Sequence, residues 1–173
     1  MPIPMVDLKI QYEEIQDEIN SAVLSVLKST NFILGPHGKA LEEEVARYHK
    51  VKHAVAVASG TDALHLALLA AGIKHGDEVI TTPFTFIATA EAVSYVGAVP
   101  VFVDIRPDSF NMDLTKIEAA MTKRTKAIIP VHLYGHPVEM DGLMEIAKKN
   151  NVRVIEDCAQ SFGAEYKGSK TGT

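Results

Sequence analysis

A single cysteine, Cys158, rules out an internal disulfide and suits a reducing cytoplasm. No apolar run approaches the roughly 20 residues of a membrane span. The start, Met1-Pro2-Ile3-Pro4-Met5, has neither the basic region nor the apolar region of a signal peptide. Bases are in deficit, 17 against 22 acids for a formal charge of −5, and no Lys/Arg-rich run stands out. That argues against nucleic acid and against an anionic membrane surface as partners. Internal repeats and low-complexity segments are absent. So are a Walker loop and a G-x-G-x-x-G, which removes the usual nucleotide fingerprints.

What is there is an ordinary globular balance, 47% hydrophobic and 23% charged over 173 residues, enough for one domain with a sizeable core. After an extended arm over residues 1–9, apolar residues at helical spacing from Ile10 to Lys28 predict a helix with one apolar face. Asn31-Phe32-Ile33-Leu34-Gly35-Pro36 breaks it. Its three large apolar residues either pack in the core or form an exposed loop beside a site or a subunit contact. A second helix is expected over Lys39–His49, with Leu41, Val45 and Tyr48 inward.

From there strands and helices alternate. Strands are expected at His53–Ala58, Glu78–Thr82, Val99–Asp104, Lys126–His132 and Val152–Asp157. Helices are expected at Ala63–Ala71, apolar nearly all round and so buried, and at Phe84–Val96, Leu114–Met121 and Glu139–Lys149. Pro130 places an edge or a strand end in the fourth strand. The alternation predicts an α/β fold: a mostly parallel, doubly wound sheet with flanking helices. The terminal Lys167–Thr173 reads as the tip of a hairpin with no element after it, so we expect the chain to be the front part of something longer.

Three features converge on the carboxyl edge of that sheet, where open α/β folds bind ligands. Ser59-Gly60-Thr61-Asp62 joins a strand to a helix; it is either an anion cradle suited to phosphate or a simple helix cap. Phe84 and Phe86 follow a strand and either stack on a flat ring or fill the core. Asp157 ends an apolar strand and either caps the next turn or presents its carboxylate to a ligand. A phosphate cradle, an aromatic platform and a buried acid together suit a flat, phosphorylated, nitrogen-containing ring, with pyridoxal 5'-phosphate the leading candidate. His132 and His136 do not read as a metal pair, because Gly135 and Pro137 forbid a helix and no third ligand declares itself. Cys158, with no histidine partner evident in the sequence, reads as a small buried residue.

Asn31–Pro36, Ser59–Leu64, Gly76-Asp77-Glu78-Val79-Ile80, Pro83–Thr89, Pro130–Gly135 and Ile155-Glu156-Asp157-Cys158-Ala159-Gln160, taken together, resemble the DegT/DnrJ/EryC1/StrS nucleotide-sugar aminotransferases. The resemblance implies a type I pyridoxal-phosphate fold and a homodimer with sites at the subunit interface. In that scheme residues 1–37 are an arm, helix and apolar loop. Residues 38–173 are the N-terminal part of the cofactor-binding large domain, stopping before its later strands, and a smaller C-terminal domain lies outside the chain. It further implies that Asp157 holds the pyridine nitrogen, Gln160 bonds the ring 3-oxygen, Phe86 stacks on the ring, and Gly60, Thr61 and Asp62 bind the phosphate. The implied reaction moves an amino group, usually from glutamate, to a nucleotide-linked keto-hexose. The family's Schiff-base lysine has no counterpart before residue 173, and Lys167 and Lys170 fall too early to replace it. The chain alone is therefore expected to be inactive. Two alternatives stand beside this reading: a same-family sugar dehydratase, and a non-catalytic α/β protein that binds a phosphorylated ligand.

Overall fold

Helix α1 (Leu8–Ser29) starts where the Asp7 carboxylate accepts hydrogen bonds from the N–H groups of Lys9 and Ile10, and it ends at Thr30, a left-handed residue whose N–H returns to the Val26 carbonyl. These features belong to a computed structural model, which describes residues 4–173. The expected arm is extended only as far as Asp7, and its first three residues lie outside the described chain. Helix α2 (Pro36–His49) follows, with Pro36 at its first position, where a missing N–H is harmless.

Neither α1 nor α2 buries a residue, so the inward placement expected for Leu41 and Tyr48 is corrected: the face is apolar but uncovered. Phe32, Ile33 and Leu34 are likewise exposed rather than core. Tyr48 does find partners, among them Phe162 in a parallel stack with ring centroids 5.6 Å apart.

The strand expected at His53–Ala58 is absent. The segment runs to the start of α3 (Gly60–Ala70) without pairing, and Val55 is 77% exposed. A β-ladder needs a neighbour, and none of the described residues offers one. Helix α3 also departs from expectation, since it buries Leu64 and Leu68 while Leu66 and Leu69 face outward.

Among the described residues the sheet has four strands, all parallel, in the order β2 (Val99–Phe102), β1 (Glu78–Thr81), β3 (Thr125–Ile128), β4 (Arg153–Val154). Between β1 and β2 runs α4 (Ala88–Tyr95); between β2 and β3 run a 3-10 turn (Leu114–Lys116) and α5 (Ile117–Ala120); between β3 and β4 runs α6 (Met140–Asn150). Alternation along the strands sends Val79, Ala127 and Ile129 to one face, against Leu64 and Leu68 of α3 and Ala92 and Val93 of α4. Ile80 and Ile128 go to the other face, against Ile117 of α5 and Leu143 and Ala147 of α6. Both faces are thus dry, as parallel sheets require, and the doubly wound expectation holds. Pro130 lies just past the end of β3, a strand flanked on both sides, so the strand-end alternative is the one realised.

From β1 the chain crosses to β2 over one face and later to β3 over the other. The strand order therefore reverses between β1 and β3, and a crevice opens beyond their carboxyl ends. Past β4, a two-residue antiparallel pair, β5 (Glu165–Tyr166) and β6 (Ser169–Lys170), closes through Lys167-Gly168, the hairpin anticipated from the sequence.

Candidate active site

That crevice is a cleft of about 430 Å³, lined by the N-terminus of α3, the segment after β1 and the turns that follow β3 and β4. Gly60, Thr61, Phe86, Asp157 and Gln160 all line it. Asp62 does not: its N–H donates to the Ser59 hydroxyl, which caps α3. The cap and the cradle are therefore both present. Ser59 uses the third amide of the helix, while the N–H groups of Gly60 and Thr61 donate to no described residue and remain at the positive end of the helix.

Asp157 is 8% exposed, and each of its oxygens has one fixed donor. Oδ1 accepts from the Ala159 N–H at 3.2 Å, the turn cap that its position suggested. Oδ2 accepts from the Thr89 hydroxyl at 2.8 Å. Its backbone is tied to the segment just past β3, with its N–H on the Pro130 carbonyl and its carbonyl taking the His132 N–H. Phe86 is 76% exposed, so it is a wall of the cleft and not a core aromatic. The Gln160 amide is oriented by the Tyr134 N–H, which donates to Oε1 at 3.1 Å. That leaves the Gln160 NH2 group free to donate to an oxygen in the cleft.

Thr85, Thr89 and Tyr134 were not singled out in the sequence. Tyr134 sits in the left-handed region with φ 58°, as does Phe110 with φ 60°, and their rings meet edge to face. Backbone strain of this kind gathers at binding sites, but nothing in a tyrosine or phenylalanine announces it. Thr85 and Thr89, four residues apart, carry a helical-neighbour signal only once α4 is placed.

Cys158 requires a correction. It has a histidine neighbour after all: ligand-capable atoms of His132, Glu156 and Cys158 lie within 4.8 Å of one another. They are 24 and 26 positions apart, and only the adjacency of β3 and β4 brings them together. His132 Nδ1 accepts from the Val138 N–H at 3.1 Å, so the proton of the neutral ring sits on Nε2 and points at Glu156, 2.7 Å away. Burial opposes a charge on this ring, while hydrogen bonds to Cys158 and Glu156 favour one and would hold its pKa up to about 9. The second proton would have to enter at Nδ1, where the Val138 N–H points, so the geometry keeps the imidazole neutral and leaves it no lone pair for a cation. Glu156 Oε2 also accepts from the Gly172 N–H at 3.0 Å, making the trio a bracket between strand ends and the hairpin. His136 stands apart from this group, in a separate recess beside Arg106 and Glu139.

Lys167 pairs with Asp141, and Lys170 pairs with Glu165 and lies over the Tyr48 ring. Among the described residues, no lysine lines the cleft.

The family model for the DegT/DnrJ/EryC1/StrS aminotransferase family matches residues 13–173. The chain belongs to that family. Among curated members it is 56% identical, over 99% of its own length, to a UDP-N-acetyl-3-dehydro-alpha-D-glucosamine 3-aminotransferase of Acidithiobacillus ferrooxidans, and it covers 46% of that protein. Among solved structures it matches DesV of S. venezuelae, in complex with a ketimine intermediate, with a TM-score of 0.96 and 46% identity. That match covers 99% of this chain and 46% of DesV. NtdA of Bacillus subtilis, solved with bound cofactor PMP, matches with a TM-score of 0.89 and 38% identity, over 96% of this chain and 38% of NtdA. The chain thus spans about half the length of the family members it resembles, and its fold is the type I fold of the pyridoxal-phosphate aminotransferases.

Proposed function

We propose that the cleft holds the pyridoxal or pyridoxamine form of pyridoxal 5'-phosphate, and that the whole protein is a transferase moving an amino group from a donor, glutamate, to a nucleotide-linked keto-hexose. The observation that carries this reading is polarity matched to place within one cleft. An acceptor-only carboxylate (Asp157) fits a protonated ring nitrogen, and a donor amide (Gln160) fits a ring oxygen. An exposed aromatic face (Phe86) fits the ring, and two free N–H groups at a helix start (Gly60, Thr61) fit the phosphate. Asp62 acts in this scheme through Ser59, which its amide steadies at the mouth of the cradle.

When bound, the cofactor supplies an electron sink for carbon–nitrogen bond changes. The chain's own residues do the holding. Asp157 would hold a proton on the ring nitrogen, Gln160 would donate to a ring oxygen, Phe86 would cover one face, and the start of α3 would anchor the phosphate. The lysine that completes the chemistry lies beyond residue 173 in this reading, within the remainder of a large domain that begins near residue 38 and is followed by a smaller C-terminal domain.

A homodimer fits the uncovered apolar face of α1, α2 and the Phe32–Leu34 loop. A cytoplasmic setting fits the single cysteine, and among the described residues no helix is long and apolar enough to cross a membrane. The product would be a nucleotide-linked amino sugar, a building block for polysaccharide biosynthesis or for a secondary metabolite. The test is the visible spectrum of the whole protein with pyridoxal phosphate, before and after glutamate. Conversion of the bound cofactor to its pyridoxamine form is the expected result; a protein that takes up no chromophore overturns the reading.

A further inference from the structure

Helix α4 contains two hydroxyl residues that behave differently. Ser94 does what a helical serine ordinarily does and donates back to the carbonyl of Ala90, four residues earlier. Thr89, in the first turn and 1% exposed, instead reaches across to Asp157, 68 positions away. A carboxylate only accepts, so Thr89 is the donor in that contact. Its lone pairs then face the Thr85 hydroxyl 3.0 Å away, which fixes Thr85 as donor in turn. The result is a one-directional chain, Thr85 O–H to Thr89 O–H to Asp157 Oδ2, whose links polarise one another in a buried setting. With the Ala159 N–H on Oδ1, the carboxylate is held at both oxygens and cannot rotate.

We propose that Thr89, backed by Thr85, is a positioning residue that holds the Asp157 carboxylate for a ring nitrogen in the cleft. The inference rests on the cofactor reading above and adds to it the group that sets the acid's orientation. Both threonines line the same cleft as Asp157, so the chain ends where a ligand would be read. A carboxylate free to turn would present either lone-pair edge. One pinned at Oδ1 by backbone and at Oδ2 by α4 presents a single edge, and pre-orientation of this kind is what ring recognition gains from.

The experiment uses pyridoxamine phosphate labelled with 15N in the ring, added to wild type, Thr89→Val, Thr89→Ser and Thr85→Val, with calorimetry for affinity and the bound 15N shift for ring protonation. Thr89→Val keeps the shape and removes the hydroxyl, so about tenfold weaker binding is expected, the scale of losing a hydrogen bond to a charged acceptor. The bound ring nitrogen should move toward its unprotonated shift. Thr89→Ser should restore both readouts, and Thr85→Val should show a smaller loss of about threefold. A purely structural role would lower the melting temperature and leave the 15N shift of the bound ring where it was. Unchanged affinity and shift in Thr89→Val, with the wild type binding normally, overturns the inference alone. A folded wild type that does not bind overturns the cofactor reading instead.

Discussion

Replacing Asp157 by asparagine separates the acid's role in folding from its role toward a ligand. In the fold the side chain accepts from two donors, the Ala159 N–H and the Thr89 hydroxyl. The backbone donor cannot turn, so the asparagine oxygen keeps it and the NH2 group faces Thr89. Thr89 and Thr85 carry hydroxyls, and both can rotate to run the chain of hydrogen bonds in reverse, from the amide outward. No buried donor is left without an acceptor, and the folding cost should stay within about 1 kcal/mol. Toward a protonated ring nitrogen the change is larger. A hydrogen bond to a charged acceptor, worth about 1.5–3 kcal/mol, becomes a neutral contact or a donor facing a donor. The expected loss is at least about 1.4 kcal/mol, or tenfold in affinity for pyridoxamine phosphate. Calorimetric titration at neutral pH, beside a thermal melt, reads both quantities. A folded Asp157→Asn protein with unchanged affinity would refute Asp157 as the partner of the ring nitrogen.

Three further outcomes follow from the same geometry. Phe86→Ala should leave the melting temperature nearly unchanged, because the ring is mostly exposed, and should weaken cofactor affinity several-fold, the scale of about 0.5–1.5 kcal/mol for an aromatic pair; an unaltered titration curve would remove Phe86 from the site. Ile128→Ala, in the middle of the sheet and fully buried, should cost about 2–5 kcal/mol in urea unfolding, and a loss under about 1 kcal/mol would contradict the core described for that face. Glu78 is the first residue of β1, where the Thr122 hydroxyl, working against burial and aided by Arg124, holds its carboxyl below the ordinary 4.5. A lowered folded pKa means stability present above the unfolded value and lost as pH falls through the folded one. The gap between wild type and Glu78→Gln should therefore be full at neutral pH and shrink as pH falls below 4.5 and through the lowered folded pKa, whereas a pH-independent gap would contradict the pairing.

The parts of the fold legible in the sequence are those decided by local pattern. The short Glu78–Thr81 run and the apolar run after Asn151 marked β1 and β4 because both faces of that sheet are covered by helices. His53–Ala58 carries an equally apolar pattern and forms no strand, since pairing depends on a neighbour that a local pattern cannot supply. Leu41, Leu66 and Leu69 show the same limit for helices: periodicity marks an apolar face but does not say what covers it. At the site, Asp157, Phe86, Gly60 and Thr61 stood out because each sits next to a strand end or a helix start, whereas Gln160 came only from the family resemblance. Thr89, Tyr134 and the His132–Glu156–Cys158 bracket did not, because their roles come from contacts 24 to 68 positions apart in the chain. Asp62 shows the reverse case, a residue in the right turn whose amide is already spent on Ser59.

The most direct test of the central claim is a titration of this chain with pyridoxamine phosphate, which needs no Schiff-base lysine to bind. The account predicts saturable binding at one site per chain, weakened about tenfold or more by Asp157→Asn and insensitive to Lys170→Ala. A folded chain that binds none, or that binds equally well without the Asp157 carboxylate, would contradict it.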